Sequence, residues 1–142
     1  AGEAIGTGRP LLVLCGDLAF RHDHGGLAAA CGLAAPLTVV VLDNGGGHIF
    51  DHLPIAAHPT AFEPYFITPQ SSRIAALATA CGARAHHVEQ TEDLAGAIRR
   101  DVTRPGVGVV EAPIDATDNL ARHHEGWRAV SRALRHLQEE AA

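Results

Sequence analysis

Hydrophobic positions alternate along this chain between short runs and helical stripes. Two mostly apolar runs, residues 11–15 and 37–42, are each followed by turn residues. Such runs are typical of buried strands in a parallel sheet. The alanine-rich segment between them, residues 27–33, has the ending of a helix, because Gly32 closes it and Pro36 follows. The pattern therefore predicts a strand–helix–strand unit.

Three later segments show the spacing of helices that bury one face. Their apolar stripes are Ile74, Leu77, Ala78 and Cys81; Leu94, Ile98 and Val102; and Leu120, Trp127, Val130, Leu134 and Leu137. Residues 83–88 and 107–111 predict two more strands. The alternation predicts an α/β fold, a three-layer, doubly wound domain with a mainly parallel sheet, and it predicts that Trp127 packs in the core. We expect residues 1–142 to form one domain, truncated at its N-terminal side and taken from a larger protein.

Composition narrows the possible partners. The 142 residues are 46% hydrophobic and carry a net charge of −5, and all 11 cations are arginine. The absence of lysine excludes a Schiff-base mechanism, and the acidic balance argues against a nucleic-acid or anionic-membrane surface. Because the three cysteines lie in apolar segments and no run approaches the roughly 20 residues of a membrane span, we expect a cytoplasmic protein with reduced core thiols.

The candidate chemistry follows the first two strands. Asp17 supplies a carboxylate, Asn44 an amide oxygen, and the glycine run after Asn44 offers a backbone carbonyl and backbone amides. Parallel neighbours place such turns side by side, and ligands of these sheets bind beyond the carboxyl ends of the strands. Hard oxygen ligands suit Mg²⁺, which can bridge a protein to a diphosphate. The alternative is that Asp17 and Asn44 only cap helices around a tight turn.

Spacing favours the functional interpretation. Gly16-Asp17 and Asn44 are separated by residues 18–43, which are 26 residues. Together with the Gly-Asp-Leu start and the segment Gly45-Gly-Gly-His-Ile-Phe50, this arrangement resembles the cofactor-binding motif of the thiamine-diphosphate enzymes. The resemblance covers nearly the whole chain. Acetolactate synthases and pyruvate oxidases differ, since they carry Gly-Asp-Gly at the first position.

The resemblance implies a role for each matching residue. Asp17 and Asn44 would bind Mg²⁺ or Mn²⁺ through their side chains, and Gly46 through its carbonyl. Ile49 and Phe50 would contact the thiazolium and the substrates. Residues that would bind thiamine diphosphate are Gly16, Asp17, Leu18, Ala19, Asn44, Gly46, Gly47 and Ile49.

The resemblance is greatest to the branch that acts in menaquinone biosynthesis. It implies a carboligating transferase that decarboxylates 2-oxoglutarate and adds the succinyl group to isochorismate. The pyrimidine domain with its catalytic glutamate would lie in the remaining domains of the same enzyme, a homodimer or homotetramer, and the isolated fragment would be inactive. One departure is Asp43, where the motif often carries asparagine.

Two other functions compete with this one. The chain could belong to another thiamine-diphosphate-dependent enzyme, a decarboxylase or one like acetolactate synthase, or it could be a non-catalytic binding module that kept the fold. The ten histidines lack the spacing of a zinc site and favour surface positions, with His48 beside the substrate as the exception. The pair His22-Asp23 is interpreted as helix capping rather than catalysis.

Overall fold

The computed structural model describes residues 1–33 and 35–140 and contains one parallel sheet. Its strands are β1 (Leu11–Gly16), β2 (Leu37–Asp43), β3 (Arg84–His87) and β4 (Val107–Pro113), in the order β1-β2-β4-β3. All three pairings are parallel. The prediction of an α/β fold with a parallel sheet is therefore confirmed.

Helices connect and flank the strands. They are α1 (Gly2–Thr7), α2 (Asp17–His22), α3 (His24–Gly32), α4 (Pro59–Phe62), α5 (Ile74–Ala80), α6 (Thr91–Val102) and α7 (Ala116–Glu140). Two short 3₁₀ helices, His48–His52 and Pro54–Ala57, and a π-helical turn, Glu63–Ile67, lie between β2 and α5. Sequence reasoning missed α2, which begins directly at Asp17, because its six residues are too few to show a helical stripe.

Each face of the sheet has its own core, which makes the domain three-layered. On one face, side chains of α2, α3 and α5 pack on Val39, Val41 and Val109. On the other, α6 packs on Val40 and Val110. Because the backbone of a strand alternates its side chains, neighbouring valines of β2 serve opposite cores. This packing holds the carboxyl ends of β1 and β2 in place.

Two expectations about burial were wrong. The strand β1 forms where predicted, but it is an edge strand, and Leu14 is 66% exposed. The apolar face of α7 is also open, with Trp127 52% exposed against the rings of His52, His123 and His124. Periodicity identifies the apolar face of a helix but not what covers it.

The cysteines depart from their prediction in one respect. Cys15, Cys31 and Cys81 are free thiols, yet each is half-buried beside the core rather than within it. Burial raises the pKa of the Cys15 and Cys31 thiols. In the described part of the chain, no helix is both long enough and apolar enough to cross a membrane.

Candidate functional site

The carboxyl ends of β1 and β2 bring the candidate residues together. Gly16 pairs with Leu42 in the parallel register, so Asp17 and Asp43 follow at the same edge of the sheet. Asp17 is the first residue of α2, and Asn44 begins the turn after β2. Adjacent parallel strands thus place the two halves of the motif side by side, as the sequence predicted.

Asp17 is a buried carboxylate that the protein satisfies only in part. It is 2% exposed, and its Oδ2 finds no hydrogen-bond partner among the described residues. Burial raises the pKa of Asp17, and the nearby Asp43 adds to the rise, whereas the Leu18 amide and Arg21 oppose it. A buried carboxylate of this kind is costly unless a cation or further donors complete its environment.

Asn44 and Gly46 supply the neighbouring oxygens. The atom of the Asn44 amide that faces inward lies 2.8 Å from the Gly46 carbonyl oxygen and 3.2 Å from Oδ1 of Asp17. With nitrogen inward, the amide donates to both oxygens. With oxygen inward, the Asn44 oxygen lies at distances from the other two oxygens that are close to the roughly 2.8–3.0 Å expected between adjacent ligands of an octahedral Mg²⁺. The donor set and its spacing therefore fit a magnesium ion.

The glycine turn packs against backbone, which explains two of its glycines. A Cβ on Gly46 would lie 2.2 Å from the Ile67 carbonyl oxygen, and one on Gly47 would lie 2.0 Å from that of Phe66. Gly46 also has a φ of 137°, which side chains other than glycine rarely allow. The Gly47 amide donates to the Ile67 carbonyl at 2.8 Å, so this amide is already engaged within the protein.

Asp43 turns its carboxylate toward other partners. Its Oδ1 accepts a hydrogen bond from the Gly45 amide at 3.1 Å, and its Oδ2 lies 3.9 Å from Nη2 of Arg21. Asp43, where the motif often carries asparagine, therefore faces a cation, Arg21, that sequence reasoning missed. Only a contact across the fold, not a motif, could have identified Arg21.

Ile49 and Phe50 form the apolar side of the site. Phe50 packs edge-on against Phe66, with ring centroids 5.6 Å apart, and Phe66 stacks on the buried Phe62. Ile49 is 74% exposed. The aromatic stack anchors the 3₁₀ helix that presents Ile49 beside the glycine turn. Their contacts with thiazolium and substrate stay a prediction.

The remaining candidates occupy structural positions. His48 contacts the Asp51 carboxylate through Nδ1 at 2.9 Å, within the same 3₁₀ helix. Asp23 stands at the N-cap position of α3 without a side-chain capping hydrogen bond. Its carboxylate packs instead against Gly26, where an added Cβ would lie within 2.9 Å. No three His, Cys, Asp or Glu side chains in residues 1–33 and 35–138 are grouped to hold a metal.

The comparisons with known proteins agree with this fold. Residues 2–112 match the family model described as thiamine pyrophosphate enzyme, C-terminal TPP binding domain. The chain belongs to this family and carries its thiamine-diphosphate-binding domain.

The curated relatives include a particular synthase. The chain is 42% identical over 120 residues, 84% of its length, to 2-succinyl-5-enolpyruvyl-6-hydroxy-3-cyclohexene-1-carboxylate synthase of Synechococcus sp. (strain JA-3-3Ab). It is also 42% identical over 131 residues, 92% of its length, to the protein of that name from Rubrobacter xylanophilus. The chain covers only 20% and 22% of these two proteins.

A solved structure supports the fold. Benzoylformate decarboxylase from Polynucleobacter necessarius superposes with a TM-score of 0.68 at 24% identity, over 80% of this chain and 21% of that one. At this identity the likeness establishes the architecture, and the curated relatives are the more informative guide to chemistry.

Proposed function

We propose that the chain is the diphosphate- and magnesium-binding domain, residues 1–142, of a larger thiamine-diphosphate-dependent synthase. The enzyme decarboxylates 2-oxoglutarate and adds the succinyl group to isochorismate, in the cytoplasm, as a step of menaquinone biosynthesis. The observation that carries the proposal is that the Asn44 amide lies 3.2 Å from Oδ1 of Asp17 and 2.8 Å from the Gly46 carbonyl oxygen. The synthase name of the curated relatives supports the choice of reaction.

The three oxygens have distinct tasks in this function. Asp17 contributes the negative charge that draws Mg²⁺, or Mn²⁺ in its place, to the edge of the sheet. Asn44 and Gly46 add neutral oxygens, which leaves coordination positions for diphosphate oxygens and water. Gly16, Leu18, Ala19 and Gly47 would line the diphosphate beside the metal.

The apolar side chains shape the place of reaction. When bound, thiamine diphosphate supplies the carbon centre that stabilises the negative charge left by decarboxylation. Ile49 lies exposed beside the turn, and Phe50 is fixed by the Phe66 ring, so both can exclude water from that centre. The remaining domains of the enzyme, in a homodimer or homotetramer, would supply the catalytic glutamate and complete the substrate pocket.

A titration tests the cofactor site. The complete enzyme is titrated with thiamine diphosphate in the presence and absence of Mg²⁺, beside the double variant Asp17→Ala/Asn44→Ala and the exposed control Arg122→Met. We expect magnesium-dependent binding that the double variant loses and the control retains. Binding that ignores both Mg²⁺ and the double substitution would overturn the proposed site.

An assay tests the reaction. The same enzyme is supplied with isochorismate and either 2-oxoglutarate or pyruvate, and carbon dioxide and adduct are measured. We expect turnover with 2-oxoglutarate. Turnover with pyruvate alone would identify another decarboxylase of the family, and magnesium-dependent binding without turnover would identify a binding module.

A further inference from the structure

Arg21 joins two segments that meet beside the metal turn. It lies in α2, four residues after Asp17, and its side chain is only 12% exposed. Its Nη1 donates to both the carbonyl oxygen and the Oγ of Ser72, while its Nη2 lies 3.9 Å from Oδ2 of Asp43. A single guanidinium thus links α2, the end of β2 and the segment before α5.

Asp43 has a fixed orientation at the start of the turn. Its Oδ1 accepts the Gly45 amide, and its backbone carbonyl accepts the Ile114 amide at 2.8 Å. The second carboxylate oxygen is the one directed toward Arg21. The side chain of Asp43 therefore stabilises the turn, and its negative charge lies directly before the candidate ligand Asn44 in sequence.

Charge at this edge would oppose an anionic cofactor if it were not balanced. Asp17 and Asp43 put two carboxylates beside the position that a diphosphate would occupy. Arg21 is the cation that contacts one of them, and its hydrogen bonds to Ser72 hold its guanidinium in place. Removing one member of such a partly buried pair leaves the other charge uncompensated.

We propose that Arg21 is a positioning residue for the metal and diphosphate, because it compensates the Asp43 carboxylate and ties the β2 turn to Ser72. The inference rests on the proposed function. It makes Asp43 and Arg21 a matched pair: the carboxylate at residue 43 is compatible with diphosphate binding because the guanidinium faces it. Neither side chain needs to touch the metal for this role.

Arginine supplies two properties that can be separated. Its positive charge offsets Asp43, and its planar guanidinium lets Nη1 donate to both oxygens of Ser72 while Nη2 faces Asp43. Lysine at this position would keep the positive charge but would lack the two separate nitrogens that face Ser72 and Asp43. Methionine would lose both while keeping a similar unbranched, buried stem.

A double-mutant cycle tests the charge compensation. The complete enzyme carrying Arg21→Met, Asp43→Asn or both is titrated with thiamine diphosphate at saturating Mg²⁺. We expect Arg21→Met to weaken binding roughly tenfold, Asp43→Asn to change it by less than about threefold, and the double variant to return to within about threefold of the parent. A structural role alone would not produce this recovery.

Two further variants keep the test decisive. Arg21→Lys is expected to bind within about threefold of the parent, while hydrogen exchange of the amides of residues 70–73 increases because the Ser72 contacts are lost. The control for loss of a cation is Arg122→Met, because Arg122 is exposed and pairs with Asp118 on the same helix.

The outcomes separate the two proposals. A parent enzyme that shows no magnesium-dependent binding overturns the proposed function and this inference together. A parent that binds, with an Arg21→Met defect that Asp43→Asn does not relieve, overturns the inference alone. Unaltered binding by Arg21→Met does the same.

Discussion

Two aspartates of this domain are equally buried and yet have different surroundings. Asp17 is 2% exposed and Asp101 is 1% exposed. Asp101 receives a hydrogen bond from Nε of Arg84 at 3.0 Å, and its Oδ2 lies 2.9 Å from Nε2 of His86, although off the direction of a hydrogen bond. Asp17 has Asn44 beside Oδ1 and no protein partner at Oδ2 within the described residues.

The difference teaches how to distinguish a structural acid from one that awaits a ligand. The protein pairs Asp101 with the guanidinium of Arg84 and places the ring of His86 beside it, and Arg84 is held in turn by the Pro105 carbonyl at 2.8 Å. Beside Asp17 it places the amides of Asn44 and Leu18, whereas the side chain of Arg21 faces Asp43. A buried charge that the chain does not pair is destabilising by itself, so its presence at the end of a strand points to a bound cation.

The largest expected effect comes from replacing each aspartate with asparagine. Asp17→Asn should weaken magnesium-dependent cofactor binding by roughly 100-fold or more and change the free energy of unfolding without cofactor by less than about 1 kcal/mol. Asp101→Asn should lower that free energy by about 2–4 kcal/mol, since Arg84 loses its carboxylate, and leave the affinity of the folded protein unchanged. Titration and urea unfolding measure the two quantities.

The contrast between the two acids would be contradicted if Asp17→Asn mainly lowered stability and Asp101→Asn mainly weakened cofactor binding. A strong loss of stability in Asp17→Asn would show that this carboxylate already has a structural partner. Weakened cofactor binding in Asp101→Asn would show that the buried pair is coupled to the site across the sheet.

A smaller effect is expected from the glycines that contact each region. A Cβ on Gly47 would lie 2.0 Å from the Phe66 carbonyl, and one on Gly108 would lie 2.6 Å from Cγ of Asp101. We expect Gly47→Ala and Gly108→Ala each to destabilise the fold by about 1–3 kcal/mol, because backbone or a buried carboxylate must shift. Only Gly47→Ala should also weaken cofactor binding, by roughly tenfold.

Gly25 provides the matched control for this pair. It lies in α3, and an added Cβ there meets open space. Gly25→Ala should therefore be neutral or stabilise by up to about 1 kcal/mol. Equal cofactor affinity in all three variants would contradict the assignment of the glycine turn to the site.

The convergence at Asp17 could be predicted from the sequence because it depends on local order. A strand, a helix and a neighbouring parallel strand bring Asp17 and Asn44 together whatever the rest of the fold does. The family resemblance then identified Gly46 as the third oxygen donor. These steps need only periodicity, spacing and the rule that parallel strands end at one edge.

Contacts between distant segments could not be predicted in this way. Arg21 reaches Ser72 across 51 positions of sequence, and the glycine turn packs on the carbonyls of Phe66 and Ile67 in a π-helical turn. Neither contact leaves a periodic signal. The same limit explains the error at Trp127, whose helical stripe is real although the face stays exposed.

The smallest predicted effect concerns the alkylation rates of two half-buried thiols. Burial raises the pKa of Cys15, two residues before Asp17 in sequence, and that of Cys31, so both thiols hold less thiolate at a given pH than free cysteine. At pH 8 we expect alkylation of both by iodoacetamide to be roughly fivefold slower or more than in the urea-unfolded chain. In the folded protein, the alkylation rates should still increase with pH at a pH where the rates of the unfolded chain have reached their maximum.

The thiols help to interpret the contrast between the aspartates, because they show the effect of burial alone on an ionisable group. Burial is the first cause of the raised pKa of Asp17 and also of Cys15, but a thiol avoids the cost by staying neutral. An aspartate that stays ionised at neutral pH avoids that cost only where a cation or hydrogen-bond donors lie beside it. Fast alkylation of Cys15 in the folded protein would show that water reaches this strand end freely, and the argument that Asp17 requires a metal partner would lose its physical basis.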